Sequence, residues 1–204
     1  MKKKHTLPML VCLLLSGTGC ALFQANTVEF DPDTKRHYDN KFDYTDLRST
    51  TDAIYEEMIA DAFLVKQEQP PVLMIAGVQN RTEQYLDTKG MTDRIRAKLL
   101  RAKKARFVNA YRRADLEKEQ GYQAQNATPE TRSAIGQQLG AQYLLSGSLY
   151  EMTQEAPKQV RLSKKKTSYY KLVLEVTDLV SSEVVWVSSE HEIVRESSTP
   201  LVGW

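Results

Sequence analysis

The strongest constraint on the fold is a helix signal that runs directly into a strand signal between residues 128 and 150. Thr128 is a good N-cap, Pro129 suits the first helical position, and Gly140 supplies the left-handed residue at which helices commonly end. Residues 143–149 form a largely apolar run that is typical of an interior strand. We therefore expect this helix and this strand to form the buried centre of one α/β domain.

The start of the chain has the layout of an export signal. Three lysines, a short apolar stretch and several small residues precede Cys20. The apolar stretch is too short to span a bilayer. We predict a lipoprotein signal peptide over residues 1–19, followed by Cys20 as the lipidated cysteine of a bacterial lipobox. A cleaved secretory peptide with an incidental cysteine is the alternative.

Composition limits the rest of the chain. Its 204 residues, of which 41% are hydrophobic, suffice for one ordinary core. Loss of residues 1–19 removes three lysines and no acid, which changes the net charge from +2 to −1. We therefore find no general electrostatic reason for the exported protein to bind nucleic acid.

The first half of the exported chain divides into a polar segment, a helix and a strand. Residues 20–47 are polar, and we interpret them as the lipid anchor and a flexible tether. Ser49 and Asp52 have the spacing of a capping box, which predicts an amphipathic helix ending near Lys66. The apolar run 72–78 predicts a strand covered on both faces, beside the strand that begins at residue 143.

A second amphipathic helix is predicted to begin at Asp87 or Thr88. Its buried positions recur every fourth residue, at Met91, Ile95 and Leu99. Residues 94–106 add a basic run, which usually forms a solvated face; a surface for an anionic partner is the alternative. A short strand at residues 107–108 and a polar helix over residues 110–123 complete this half.

The last third of the chain predicts antiparallel strands. Residues 155–166 are interpreted as a basic excursion. Alternation over residues 169–177 predicts a strand with one wet face. A turn over residues 178–183 leads to a returning strand over residues 184–194. Val185, Trp186 and Val187 are expected at the core of that strand, and residues 196–204 are expected to form a loose tail.

The sequence offers no recognisable catalytic set. His37 lies in the predicted tether, and His191 stands alone near the last strand, where we expect it to be exposed. Neither a zinc set nor a Ser/His/Asp arrangement is predicted. We therefore expect no enzyme activity, no cofactor and no metal ion.

Several short motifs occur in a recognisable order. They are Asn80-Arg81-Thr82, Thr131-Arg132-Ser133 with Gly136, Gly140-Ala141-Gln142-Tyr143, and Leu172-Val173-Leu174 followed by Glu183-Val184-Val185-Trp186. With these motifs behind a lipobox, the chain resembles the LpoB family of penicillin-binding-protein activator lipoproteins, within the wider CsgG and LpoB group. The resemblance covers about residues 45–195.

The resemblance implies a fold and a function. The fold is a single α/β domain over residues 48–195, with a central mixed or antiparallel sheet flanked by helices on both faces. The function is that of a non-catalytic lipoprotein of the outer membrane, facing the periplasm, which binds and activates a bifunctional penicillin-binding protein. A CsgG-like secretion or envelope-assembly component is the alternative. Because residues 155–166 lack an apolar face, we favour the activator and expect a monomer.

Four residues are predicted to contact the partner: Asn80, Arg81, Thr82 and Arg132. Arginine forms bidentate bonds to carboxylates and is enriched at positions that dominate protein interfaces. Two alternatives remain open. The side chains of Asn80 and Thr82 instead bind nearby backbone in a turn, and Arg132 instead pairs with an acid of the domain.

Overall fold

The computed structural model describes residues 27–109, 139–156 and 163–200, together with residues 115, 118, 128, 134 and 137. The chain divides into two compact units between residues 35 and 36. In the first unit, Asp33 N donates a hydrogen bond to Asp31 Oδ1 over 2.8 Å, which closes a turn. The second unit contains the helices and strands described below.

Among the described residues, six strands form one mixed sheet. The strands are β1 (Val72–Arg81), β2 (Arg106–Phe107), β3 (Tyr143–Glu155), β4 (Ser163–Asp178), β5 (Val184–Val187) and β6 (His191–Pro200). The order across the sheet is β2-β1-β3-β4, and both β5 and β6 pair with β4. Strand β1 is parallel to β2 and β3, and the pairs made by β4 are antiparallel. The predicted adjacency of β1 and β3 is confirmed.

A β-bulge in β1 decides which of its side chains reach the core. Between Ile75 and Gly77 the strand β1 advances by two residues while its partner β3 advances by one, so Ala76 is the extra residue. Leu73 and Val78 therefore join the same apolar cluster, although simple alternation would place them on opposite faces. The bulge explains why this run shows no regular alternation.

The described helices are α1 (Tyr44–Ala60), α2 (Ala62–Val65) and α3 (Lys89–Arg101). They bury side chains in the cluster that covers one face of the sheet. The predicted buried stripe of α3 is confirmed for Met91, Ile95 and Leu99. Within the described ranges, no helix is both long enough and apolar enough to cross a membrane.

Helix α1 begins earlier than the sequence predicts. Asp46 N donates to Asp43 Oδ1 over 3.1 Å and Asp43 N donates to Asp46 Oδ2 over 3.0 Å, which forms a capping box. Ser49 and Asp52, the predicted box, lie inside the helix. Phe42 is buried as well. The tether predicted to reach residue 47 is therefore too long, because its last part packs in the domain.

The long hairpin of β3 and β4 replaces the predicted basic excursion. Strand β3 continues to Glu155 and β4 begins at Ser163, so the prediction for residues 155–166 is wrong at both ends. Glu155 pairs with Lys166 across the two strands. The predicted buried stripe of β4 is confirmed for Tyr170, Leu172, Leu174 and Val176.

Two strands return along β4 where one was predicted. Ser188 separates them: its N–H donates to Leu174 O over 2.8 Å, and its Oγ accepts from Leu174 N over 3.0 Å. The side chain thus replaces a backbone acceptor in the ladder, and the strand is interrupted.

The structure corrects the predicted burial of Val185 and Val187 and the predicted tail after residue 195. Trp186 is buried as expected, whereas Val185 and Val187 are exposed, because β5 is an edge strand with one covered face. The predicted loose tail is also wrong for residues 196–200, since β6 extends to Pro200.

A second apolar cluster lies on the opposite face of the sheet, where Met74 packs with Ala141 and Leu179. Gln137, which is helical, donates from Nε2 to Leu179 O beside this cluster. Gly140 follows with a φ of 74°, as expected for the end of a helix. Most of the helices predicted over residues 110–123 and 128–139 lies outside the described residues. The single α/β domain with a mixed sheet is as predicted.

Candidate protein-binding surface

The loop after β1 is fixed by two of the predicted contact residues. Asn80 Oδ1 accepts hydrogen bonds from Thr82 N over 3.0 Å and Thr82 Oγ1 over 2.7 Å, and Asn80 Nδ2 donates to Gln84 O over 2.7 Å. These are the bonds of an Asx turn. The side chains of Asn80 and Thr82 therefore shape the loop, as one of the two interpretations of the sequence proposed.

A partly buried polar network holds the next part of this loop against the sheet. Glu151 accepts hydrogen bonds from Glu83 N over 3.2 Å, from Gln84 Nε2 over 3.2 Å and from the Tyr170 hydroxyl over 3.0 Å. Burial raises the pKa of Tyr170, and the bond to Glu151 raises it further. The hydroxyl is therefore a donor, and the loop has a rigid base.

Arg81 projects from β1 next to this loop. Its Nε and Nη2 donate to Gln79 Oε1 over 3.1 and 2.9 Å. Its guanidinium carbon lies 5.3 Å from the centroid of the Tyr150 ring. A guanidinium at this distance from an aromatic face is held by a cation–π interaction. Arg81 is exposed and pre-oriented by these two neighbours.

Two rows of side chains cross the sheet beside Arg81. The pairing places Arg81, Tyr150, Lys171 and Glu192 in one row, and Met152, Tyr169 and Val194 in the next. Residues that pair directly in a sheet project from the same face. We call this surface the open face and define it by Arg81, Tyr150, Met152, Tyr169, Lys171 and Val194.

Ion pairs and hydrogen bonds order the β6 side of the open face. The Tyr169 hydroxyl donates to Glu192, and this bond raises the pKa of Tyr169 to about 12. Lys171 Nζ forms an ion pair with Glu190. These contacts hold the Tyr169 ring and the Lys171 side chain in place on the open face.

The basic helix α3 is largely paired within the domain. Arg94 Nε and Nη2 each donate to a carboxylate oxygen of Asp52 over 2.9 Å, and Lys98 Nζ lies 2.9 Å from Asp52 Oδ1. Burial alone would raise the pKa of Asp52, but the hydrogen bonds from Arg94 and Lys98 outweigh it, so the pKa lies below its ordinary value. Arg96 pairs with Asp93 over 3.2 Å. These contacts weaken the alternative of an anionic partner surface.

One cluster has the ligand types of a metal site. Ligand atoms of His37, Asp43 and Asp46 lie within 4.8 Å of one another. However, the Arg195 guanidinium donates to Asp46 and, over 3.3 Å, to Asp43. The guanidinium of Arg195 therefore already contacts both carboxylates, and we interpret the cluster as an ion-pair network. Burial is the main cause of the raised pKa of Asp46. At Asp43 burial acts in the same direction, but hydrogen bonds from His37 and the Asp46 backbone lower the pKa below its ordinary value.

His191 is half-buried, so the prediction that it is exposed is wrong. Its Nε2 lies 3.1 Å from Glu57 Oε1 because β6 runs beside α1. Burial raises the pKa of Glu57, but hydrogen bonds from Ser189 and the attraction of His191 lower it overall. The hydrogen bond that Ser189 N donates to Glu57 Oε2 over 3.0 Å ties the residues before β6 to α1.

The predicted site residues are only partly brought together. Asn80, Arg81 and Thr82 lie at one end of β1, whereas Arg132 and Cys20 lie outside the described residues. The sequence interpretation ended this strand at residue 150, so it missed Met152 and left Tyr150 as the last residue of the strand. Extending the alternation from residue 143 through residue 154 would have placed both on one face.

One family model matches the chain, and two solved structures share its fold. A family model described as the peptidoglycan-synthase activator LpoB matches residues 46–193. The LpoB C-terminal domain from Salmonella enterica has a TM-score of 0.54 at 19% identity, with 72% of this chain and 98% of that chain covered. The C-terminal domain of Escherichia coli LpoB has a TM-score of 0.52 at 18% identity, with 70% and 96% covered. No curated protein sequence matches. At these identities the structural likeness shows the fold.

Proposed function

Because the chain belongs to the family of the peptidoglycan-synthase activator LpoB, we propose that it binds a bifunctional penicillin-binding protein and activates its synthesis of peptidoglycan. The family match over residues 46–193 carries this proposal. The matched region contains all but the first two residues of α1, together with α2, α3 and β1 to β5, and so includes the end of β1 that presents Arg81.

We further propose that the protein is anchored in the outer membrane through a lipid on Cys20 and faces the periplasm. The short apolar stretch and small residues before Cys20 support this anchor. The second compact unit begins at Arg36, and we propose that residues 20–35 connect it to the anchor. Fully extended, this connection spans at most roughly 55 Å, at about 3.3–3.6 Å per residue. The synthase must then present its contact region within that distance plus the dimension of the folded domain.

Arg81 and Arg132 are the proposed contacts with the synthase. Arg81 is exposed and pre-oriented, so it can bind a partner carboxylate with little loss of side-chain entropy. Asn80 and Thr82 contribute by fixing the loop beside it. Arg132→Ala is expected to weaken synthase binding at least tenfold, about 1.4 kcal/mol.

Reconstitution with purified components tests this function. The soluble chain from residue 27 onward is added to each purified bifunctional penicillin-binding protein of the same bacterium, and the rate of glycan polymerisation is measured. We expect the rate to rise and to saturate as the complex forms. An unrelated periplasmic protein serves as the control. Absence of both binding and stimulation with every such synthase would contradict the proposal.

A further inference from the structure

We propose that the open face is the surface that contacts the synthase, and that its occupant is a protein segment presenting apolar side chains beside a carboxylate. This inference rests on the proposed function and adds the location and the chemistry of the contact.

The centre of the open face is apolar and solvent-exposed. Tyr150, Met152 and Val194 are 38%, 57% and 63% exposed, and Tyr169 pairs with both Met152 and Val194. The wet face of an antiparallel sheet normally carries polar side chains. A contiguous aromatic and aliphatic centre with charged neighbours is typical of a protein interface.

The opposite face of the same strands is already covered by the chain itself. Asn40 Nδ2 donates to Ser168 Oγ over 2.5 Å, and the rings of Phe42 and Tyr170 lie 5.7 Å apart at an angle of 65°. Strands β4 and β6 therefore have one packed face and one face, with an apolar centre, that no element among the described residues covers. The open face is the side left for a partner.

The charges on the open face indicate what the occupant brings. On the β6 side, Glu190, Glu192 and Glu196 already pair with a lysine or a tyrosine of β4. On the β1 side, Arg81 donates to the neutral amide oxygen of Gln79 and, in the described part of the chain, forms no ion pair. A carboxylate of the partner would complete this row with a charge-assisted bidentate bond.

The β-bulge at Gly77 orients Arg81 toward this face. Without the extra residue Ala76, alternation would place Arg81 on the face that packs against the helices. The bulge instead pairs Arg81 with Tyr150 on the open face. The bulge thus places Val78 in the apolar core and Arg81 beside the apolar centre of the open face.

Substitutions in the apolar centre test the proposal with a matched control. Val194→Lys on β6 places a charge in the open face. The control is Val187→Lys on β5, which pairs with β4 as β6 does. Val187 is 57% exposed and Val194 is 63% exposed, so the two valines are comparable. We expect Val194→Lys and Met152→Glu to weaken binding to a purified bifunctional penicillin-binding protein at least tenfold. Val187→Lys should change binding less than twofold.

A further variant tests the charge. Arg81→Gln should weaken binding. Its affinity should also depend less on salt concentration than that of the parent protein, because the ion pair between Arg81 and the partner carboxylate is lost. Circular dichroism and thermal unfolding verify that each variant is folded.

The outcomes separate this inference from the proposed function. If the parent protein stimulates the synthase and Val194→Lys and Met152→Glu bind as tightly as Val187→Lys does, the function stands and the open face is not the contact. If no bifunctional synthase binds the parent, both proposals fail. If sedimentation shows a dimer of the chain that Val194→Lys dissociates, the occupant is a second copy and the inference is wrong.

Discussion

Arg195, in the middle of β6, donates a hydrogen bond to Asp46 in the first turn of α1, 149 residues earlier in the sequence. The Asp46 side chain is only 4% exposed, and that of Arg195 is 14% exposed. Arg195 also donates to Lys41 O over 2.9 Å. One guanidinium thus holds the segment before α1, the start of α1 and the strand β6 together.

Loss of this cation should destabilise the domain strongly. Arg195→Leu leaves the buried carboxylate of Asp46 without its ion pair, and removal of one partner of a buried pair costs about 3–5 kcal/mol. Adding Asp46→Asn should recover part of this loss, because a neutral amide needs no counter-charge. Urea unfolding measures the three free energies. As a control, Lys165→Leu breaks the more exposed pair with Glu196 and should cost at most about 1 kcal/mol.

Two glycines of neighbouring strands should respond to alanine for different reasons. A Cβ on Gly147 would lie 2.5 Å from Val173 O and in contact with Leu174 Cδ2. Such overpacking costs about 1–3 kcal/mol. A Cβ on Gly77 meets no atom within 4 Å, but its φ of 99° is unfavourable for alanine and costs on the order of 1–2 kcal/mol. Thermal unfolding should show both losses, and Ser148→Ala, the control on β3, should change stability by less than about 0.5 kcal/mol.

Those parts of the fold that repeat with a regular period could be predicted from the sequence. The spacing of Met91, Ile95 and Leu99 on α3, and the alternation from Tyr170 to Val176 on β4, each depend on one element that faces one core. Such patterns can be recognised within one segment of the sequence, because every buried position follows from the geometry of its own helix or strand.

The features that were missed depend on contacts between distant elements. Asp43 and Asp46 have the same spacing as Ser49 and Asp52, and the burial of Phe42 and the contact with Arg195 distinguish the true start of α1. The interruption at Ser188 depends on the contact with β4, where Leu174 N donates to the Ser188 hydroxyl instead of to a backbone carbonyl. The open face joins side chains of four strands, so no single segment of the sequence reveals it.

The end of α3 offers a stabilising substitution. Lys104 N donates to Leu99 O and Lys103 N donates to Leu100 O, each over 3.0 Å, which is the Schellman arrangement. Lys103 has a φ of 56°, a conformation that costs a residue with a Cβ on the order of 1 kcal/mol. Lys103→Gly should therefore raise the unfolding free energy by about 0.5–1 kcal/mol. Lys104→Gly, one residue further on, should give no gain; equal effects of the two variants would argue against this explanation.

The lipid anchor predicts a clear difference in labelling. If Cys20 is the lipobox cysteine, labelled fatty acid should enter the protein in cells but not the variant Cys20→Ser, because the lipid is attached to that cysteine. The parent protein should sediment with the outer membrane, and the variant should remain in the periplasm. Equal labelling of the two proteins, or an unlabelled parent, would show that Cys20 does not carry the anchor.

The ion pairs of Asp52 predict how stability depends on pH. The bonds from Arg94 and Lys98 hold the pKa of Asp52 below its ordinary value in the folded state, despite the opposing effect of burial. As the pH falls from about 5 toward 2, the unfolded chain takes up this proton before the folded protein does, so the stability that the pair contributes is present above the ordinary pKa and is lost in acid.

Unfolding free energies measured in urea at a series of pH values should therefore decrease less steeply for Asp52→Asn than for the parent protein. Some slope should remain, because the pKa values of Asp43 and Glu57 are also lowered. Lys89→Gln, which removes an exposed partner of Asp93 on the same helix, is the control and should leave the slope nearly unchanged. Parallel curves for the parent and Asp52→Asn would show that the pair contributes no pH-dependent stability.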